Sequence, residues 1–296
     1  MSSSCSSCSS SSSCASAKNG SGCGSGIAKI KNKYGNIKNI VGVISGKGGV
    51  GKSTVTGMLA SQLAKKGYKV GVLDADITGP SMPRFFGINE KRAEIYPEGE
   101  GVRFIPVETG LGIKVISLNL ITEVEDEPVI WRGPVINGVL NQMYQDTVWG
   151  DLDYLLIDMP PGTGDVALTV MQSIPINGVV MVTVPQDMVS MIVTKAVHMV
   201  EKLNIDVIGV VENMSYIKCP DCGKKIEIFK GEHNRQFLDD MNLNLLGQLP
   251  MNTGIGNVSL GIYNDSDEEV EGLFNPIVIN MIQSLKEKEI SNAFQG

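Results

Sequence analysis

From Asn39 onward the chain alternates short apolar runs with longer stretches whose apolar residues recur at helical spacing. Ile40–Ile44 predicts a buried strand. The stretch Gly51–Lys66, GKSTVTGMLASQLAKK, puts Val55, Met58, Leu59 and Leu63 on one helical face, and Gly67 stops it. Lys69–Leu73 predicts a second strand that runs into DAD, and Val102–Val107 with Lys114–Leu118 predicts a strand pair. Ile136–Val148 reads as a helix, and Tyr154–Ile157 as a short apolar strand ending at Asp158. Helices over Val166–Ile174 and Val189–Leu203 alternate with strands over Gly178–Val184 and Val207–Val211. Leu245–Leu249 gives one more strand, and Glu268–Lys286 a closing helix. Uninterrupted apolar strands between helices predict a mostly parallel sheet covered on both faces, a three-layer α/β fold. Met1–Gly26 is almost entirely Ser, Gly, Ala and Cys, and it cannot bury enough apolar surface to offset the entropy of ordering. Lys29–Lys38 reads as a polar lead-in. The expected division is therefore a tail and lead-in over 1–38 and one folded domain over 39–296.

Composition narrows the function classes. A net charge of −7 and only 5% aromatic residues speak against binding nucleic acid through basic patches or stacking platforms. No apolar run is long enough for a spanning helix, and the first residues lack the basic flank and apolar stretch of a secretory signal. Of the six cysteines, Cys5, Cys8, Cys14 and Cys23 lie in the tail, and Cys219 and Cys222 in the body. With a core this large, reduced thiols and metal ligation are expected rather than disulfides, which places the chain in the cytoplasm.

The chemistry begins after the first strand. SGKGGVGKS, Ser45–Ser53, fills the pattern G-x-x-x-x-G-K-S with Gly46, Gly51, Lys52 and Ser53. The glycines let backbone N–H groups converge on phosphate oxygens, and the following helix turns its positive end to the same anion. Lys52 is expected to reach the β and γ phosphates of ATP, and the Ser53 hydroxyl to hold Mg²⁺. Strand-end carboxylates at Asp74, Asp76 and Asp158 would face the same crevice in a parallel sheet. Cys219 and Cys222, in KCPDCGKK, form a metal knuckle and supply half the ligands of a tetrahedral zinc site or of a four-iron cluster. The other half has three possible sources: the tail cysteines, exogenous thiols, or the same pair from a second subunit.

KGGVGKS resembles the deviant Walker A motif K-G-G-x-G-K-[ST]. That family of P-loop ATPases includes division-site and plasmid-partition ATPases, nitrogenase iron protein and the iron–sulfur carriers of the Mrp/NBP35 type. DADITGPS, MPPGTGD and GVVENMSY are similar to the Mrp-type signatures and occur in family order, so the resemblance covers Asn39 to about Lys286. It implies that Gly46, Lys47, Gly48, Gly49, Val50, Gly51, Lys52, Ser53 and Thr54 surround the nucleotide. It also implies that Lys47 crosses a dimer interface to the partner's phosphates. Asp76 would orient or deprotonate the attacking water, Asp74 would support the magnesium shell, Asp158 would hold Mg²⁺ through water, and Asn213 would read the adenine edge. Asp165 is either the cap of the next helix or chemically engaged.

For the cysteines, the resemblance selects the second subunit: one 4Fe–4S cluster bridged by Cys219 and Cys222 of each half of a homodimer. The tail spacing C-x₂-C-x₅-C lacks the cysteine thirteen residues upstream that a ferredoxin-like set carries. IFKGEHNRQF and LPMNTGIGNVSLGIYND also depart from the usual Mrp pattern; His198, in an apolar helical segment, is expected in the core or half-buried, and nothing in the spacing of His233 near the knuckle makes it a ligand. The expected function is ATP-driven carriage of an iron–sulfur cluster to recipient apoproteins. The rival is a positioning ATPase of the partition or division-site type with a structural zinc knuckle. The ending IQSLKEKEISNAFQG is mixed in charge and poor in bulky apolar residues, so stable membrane association is not expected.

Overall fold

The computed structural model describes residues 29–295 apart from 78, 80, 100, 123–132, 187–190, 220, 228–231, 253 and 256–267. The tail cysteines therefore lie outside the described residues. Strand β1 (Gly35–Ser45) runs into the phosphate loop and helix α1 (Lys52–Lys65), followed by β2 (Val70–Asp74) and the one-turn α2 (Met82–Phe85). Next come β3 (Glu94–Glu98), β4 (Gly101–Ile105), β5 (Val107–Glu108), β6 (Lys114–Ile116), α3 (Leu118–Ile121) and α4 (Gly133–Gln145). The second half holds β7 (Gly150–Asp158), α5 (Asp165–Ser173), β8 (Gly178–Thr183), α6 (Met191–Lys202) and β9 (Asp206–Lys218). It closes with β10 (Lys225–Glu227), α7 (Glu232–Asp240), β11 (Leu245–Pro250) and α8 (Glu268–Gln295).

One sheet orders these strands β10-β9-β8-β1-β7-β2-β6-β5, with β11 also on β9. Only β10 and β5 pair antiparallel within it. β2 and β8 are buried at every position, as strands covered on both faces must be. Both neighbours of β1 come late in the chain, so the crevice at its carboxyl end is where a ligand site belongs. Asp74 on β2 and Asp158 on β7 are directly paired there.

Three expectations change. The fold takes in the lead-in, because Lys29 Nζ donates to the carbonyls of Met171 (2.6 Å) and Ile174 (3.0 Å). Asn32 likewise donates to the carbonyls of Tyr144, Gln145 and Thr147, and β1 starts at Gly35 rather than near Asn39. These polar residues satisfy backbone carbonyls at helix ends, an anchoring that hydrophobic patterning does not register. The expected pair Val102–Val107 and Lys114–Leu118 splits: β4 leaves the main sheet for a hairpin with β3, and only Val107–Glu108 reaches β6. β9 continues well past Val211 to Lys218, so one strand spans from the core to the cysteine knuckle.

Candidate functional site

The loop between β1 and α1 turns on glycines in the left-handed region, Gly49 at φ 80° and Gly51 at φ 85°. At Gly51 a side chain is also excluded by contact, since a Cβ there would lie 2.3 Å from the Asn213 amide nitrogen. The loop forms one wall of a cleft of about 270 Å³. Lys47, Gly48, Gly49, Gly51, Lys52, Ser53 and Thr54 line it together with Asp76, Gly79, Ser81, Phe85 and Pro161. Gly46 and Val50 lie just behind, beside Ile192 and Val193 of α6. Lys47 is exposed and Lys52 is buried.

At the floor, the Lys52 ammonium sits 2.8 Å from Asp158 and 3.6 Å from Asp76. Asp158 also accepts from the Ser53 hydroxyl at 2.6 Å and from Thr56 at 2.8 Å. Thr56 lies one helical turn after Lys52, a spacing that could have marked it in the sequence. A serine hydroxyl bonded to a fully buried carboxylate is a hard-oxygen pair that suits Mg²⁺, which takes one or two protein oxygens and completes its shell with phosphate and water. Ser53 would hold the ion directly and Asp158 through water; when bound, the ion neutralises charge on the transferring phosphoryl group. Asp76 is 8% exposed, at the edge of the cleft where a water could reach it.

Asp74, paired with Asp158 across the sheet, is held by three hydrogen bonds of its own. Its oxygens accept from the backbone N–H of Asp76 and of Met82, each at 3.2 Å, and from the Ser117 hydroxyl at 3.1 Å. These bonds brace the Asp76–Met82 segment, and Asp74 is not among the residues that line the cleft. Burial and then the nearby Asp158 charge push its carboxyl up to about 8, against the opposing pull of Lys52, the Met82 N–H and Ser117. Nothing in the sequence marked Ser117 as its partner. Asp165 is the first residue of α5, while Gly164 holds the cap position, so Asp165 favours the helix through its charge at the positive end.

Asn213 lies within β9, bonded to the loop. Its amide donates to the Val50 carbonyl at 2.9 Å and accepts from the Met214 N–H at 3.0 Å, and it is 3% exposed. Through the Val50 bond it ties β9 to the phosphate loop. Met214 takes φ 54°, a rarely used region for such a side chain.

Six residues past Asn213, β9 delivers the knuckle. Cys219 N–H donates to the Lys224 carbonyl and Gly223 N–H to the Cys219 carbonyl, a tight turn that Gly223 completes at φ 69°. Cys219 is half-buried and Cys222 exposed, and both are free thiols. Backbone N–H groups of Cys222, then of Asp221, donate to the Cys219 sulfur and lower its thiol from the usual range, which favours the thiolate a metal needs. Among the described residues no set of three or more His, Cys, Asp or Glu could hold a metal ion, so the knuckle offers a half-site. The ribbon behind it is tied to the sheet. Lys225 Nζ lies 4.4 Å from the Tyr216 ring centre and donates to Gln248 at 2.9 Å, and Gln248 donates to the buried Glu212. Sequence reading missed this chain because its members come from three separate strands.

Comparison with known proteins decides the lineage. Residues 36–281 match the ParA profile described as NUBPL iron-transfer P-loop NTPase. The chain belongs to that family. An iron–sulfur cluster carrier protein of Clostridium perfringens is 64% identical over 253 residues, covering 84% of this chain and 89% of that one. A carrier protein of the same description from Methanocaldococcus jannaschii is 45% identical, covering 76% of each chain. Among solved structures, the nucleotide-binding protein of Archaeoglobus fulgidus in complex with ADP superposes with a TM-score of 0.69 at 39% identity, covering 81% of this chain and 93% of that one. The division protein MinD of Aquifex aeolicus, at 18% identity, 83% and 95% coverage and a TM-score of 0.57, shares the fold. The three-layer P-loop NTPase architecture expected from the sequence is thus the family's own.

Proposed function

We propose that this protein is an ATP-hydrolysing carrier that holds a 4Fe–4S cluster between two copies of the chain and delivers it to apo iron–sulfur proteins in the cytoplasm. The observation that carries the reading is the course of β9: it clamps the phosphate loop through Asn213 and ends, six residues later, in a knuckle with two thiols. Two thiolates are half of what a four-iron cluster takes, and a second copy supplies the other half by symmetry. The carrier names of the relatives support the cargo.

In the cleft, Lys52 and the loop N–H groups hold the phosphates of ATP while Ser53 and Asp158 hold the magnesium ion. Asp76 takes a proton from water as the water oxygen bonds to the γ phosphorus. The bond from that phosphorus to the bridging oxygen breaks, and ADP leaves with the electron pair. Lys47, exposed at the mouth, offers its charge to the nucleotide of the other copy. A cluster held at the same seam is uncovered when the two copies rock apart, so nucleotide state and cluster retention influence each other reciprocally. The test is anaerobic mixing of loaded protein with an apo-enzyme in the presence of an iron chelator. The reading expects activation to survive the chelator; activation that vanishes means the iron passes through solution and carriage is wrong.

A further inference from the structure

Ser81 stands at the N-cap position of α2, where a serine hydroxyl ordinarily bonds the first turn. Here it makes no capping bond. Its Oγ is buried and has no hydrogen-bond partner among the described residues. Buried hydroxyls are nearly always satisfied, so an orphan in the wall of a ligand cleft points to a bond made by the ligand. Ser81 lines the same cleft as Asp76, Gly79, Lys52 and Ser53. Its backbone is fixed: Phe85 N–H bonds the Ser81 carbonyl at 3.0 Å, and Met82 N–H bonds Asp74 at 3.2 Å. A hydroxyl held this firmly in the lining of the phosphate cleft is preorganised for a phosphoryl group of the substrate.

We propose that Ser81 is a substrate contact whose hydroxyl donates a hydrogen bond to the terminal phosphoryl group of ATP, so that the cleft distinguishes ATP from ADP. This rests on the ATPase reading above. Through the reaction Ser81 keeps its proton; the water proton goes to Asp76, and the hydroxyl only stabilises charge on the phosphoryl oxygens. Because ADP lacks the γ group, the contact exists only before cleavage and release of phosphate.

The test uses the full chain with magnesium and the substitution Ser81→Ala, with Ser81→Thr as the conservative control. Calorimetry should show ADP affinity within about twofold of native and affinity for a non-hydrolysable ATP analogue reduced roughly tenfold, the usual loss for a bond to a charged group. Single-turnover cleavage should fall at least as much, and Ser81→Thr should restore most of both. Thermal stability without nucleotide should hold or rise in Ser81→Ala, since an unsatisfied buried hydroxyl is removed. The inference is overturned if Ser81→Ala keeps native analogue affinity and cleavage, if ADP and analogue lose affinity equally, or if the nucleotide-free protein is destabilised. Native protein that fails to bind nucleotide would overturn the ATPase reading itself, whereas native turnover with an indifferent Ser81→Ala overturns only this contact.

Discussion

Lys52 and Lys47 carry the same charge in different settings, and the difference is measurable. Lys52 is buried between Asp158 and Asp76, so Lys52→Ala removes the phosphate-facing ammonium and leaves two carboxylates facing the nucleotide. Calorimetry should show ATP affinity falling by two orders of magnitude or so, in line with losing a close charge pair. Lys47→Ala should leave ATP affinity nearly intact and slow turnover; equal losses of affinity in both variants would contradict the division. Asp76→Asn keeps the size of the side chain but removes the base. It should bind magnesium and ATP normally while single-turnover cleavage drops on the order of 10²–10⁴-fold. Asp74 makes a pH prediction. An acid whose folded pKa is raised contributes stability that is complete below about pH 4 and lost as pH climbs through about 8. In nucleotide-free and metal-free protein, Asp74→Asn should flatten the decline in urea midpoint over that window, and an unchanged profile would remove Asp74 as its source.

At the scale of elements, β9 is the piece that joins the two chemistries. The chain Lys225–Gln248–Glu212 ties the knuckle ribbon to β11 and the core. Gln248→Ala should lower stability by about 1–3 kcal/mol in chemical denaturation and weaken iron retention, with nucleotide affinity unchanged. Gly57 on α1 is packed so closely that a Cβ would lie 2.3 Å from the Phe85 ring. The main strands and long helices were legible because burial on both faces leaves unbroken apolar runs, as in Leu155–Ile157 and Gly178–Thr183. The phosphate loop was legible because its glycines, lysine and serine do their work in one short segment. What the sequence hid were side chains whose roles are set by tertiary neighbours. Asp74 braces a turn through Ser117 and Met82, and Asn213 bonds the Val50 carbonyl, contacts that no strand-end pattern marks. The β3–β4 hairpin was hidden because all of β3 is exposed, and the lead-in because its anchors are polar.

For the whole molecule, the proposal that two copies share one cluster rests on a knuckle that offers two thiols where a four-iron cluster takes four. No described helix is long and apolar enough to cross a membrane. The sharpest measurement is native mass spectrometry of anaerobically purified protein, paired with iron, sulfide and zinc analysis, on the native chain, on Cys219→Ala and on a chain lacking residues 1–26. The account predicts one four-iron cluster per two chains in the native protein, the same after truncation, and none in Cys219→Ala, whose ATP affinity stays intact. A cluster carried by a single chain, or stoichiometric zinc in place of iron and sulfide, would contradict it.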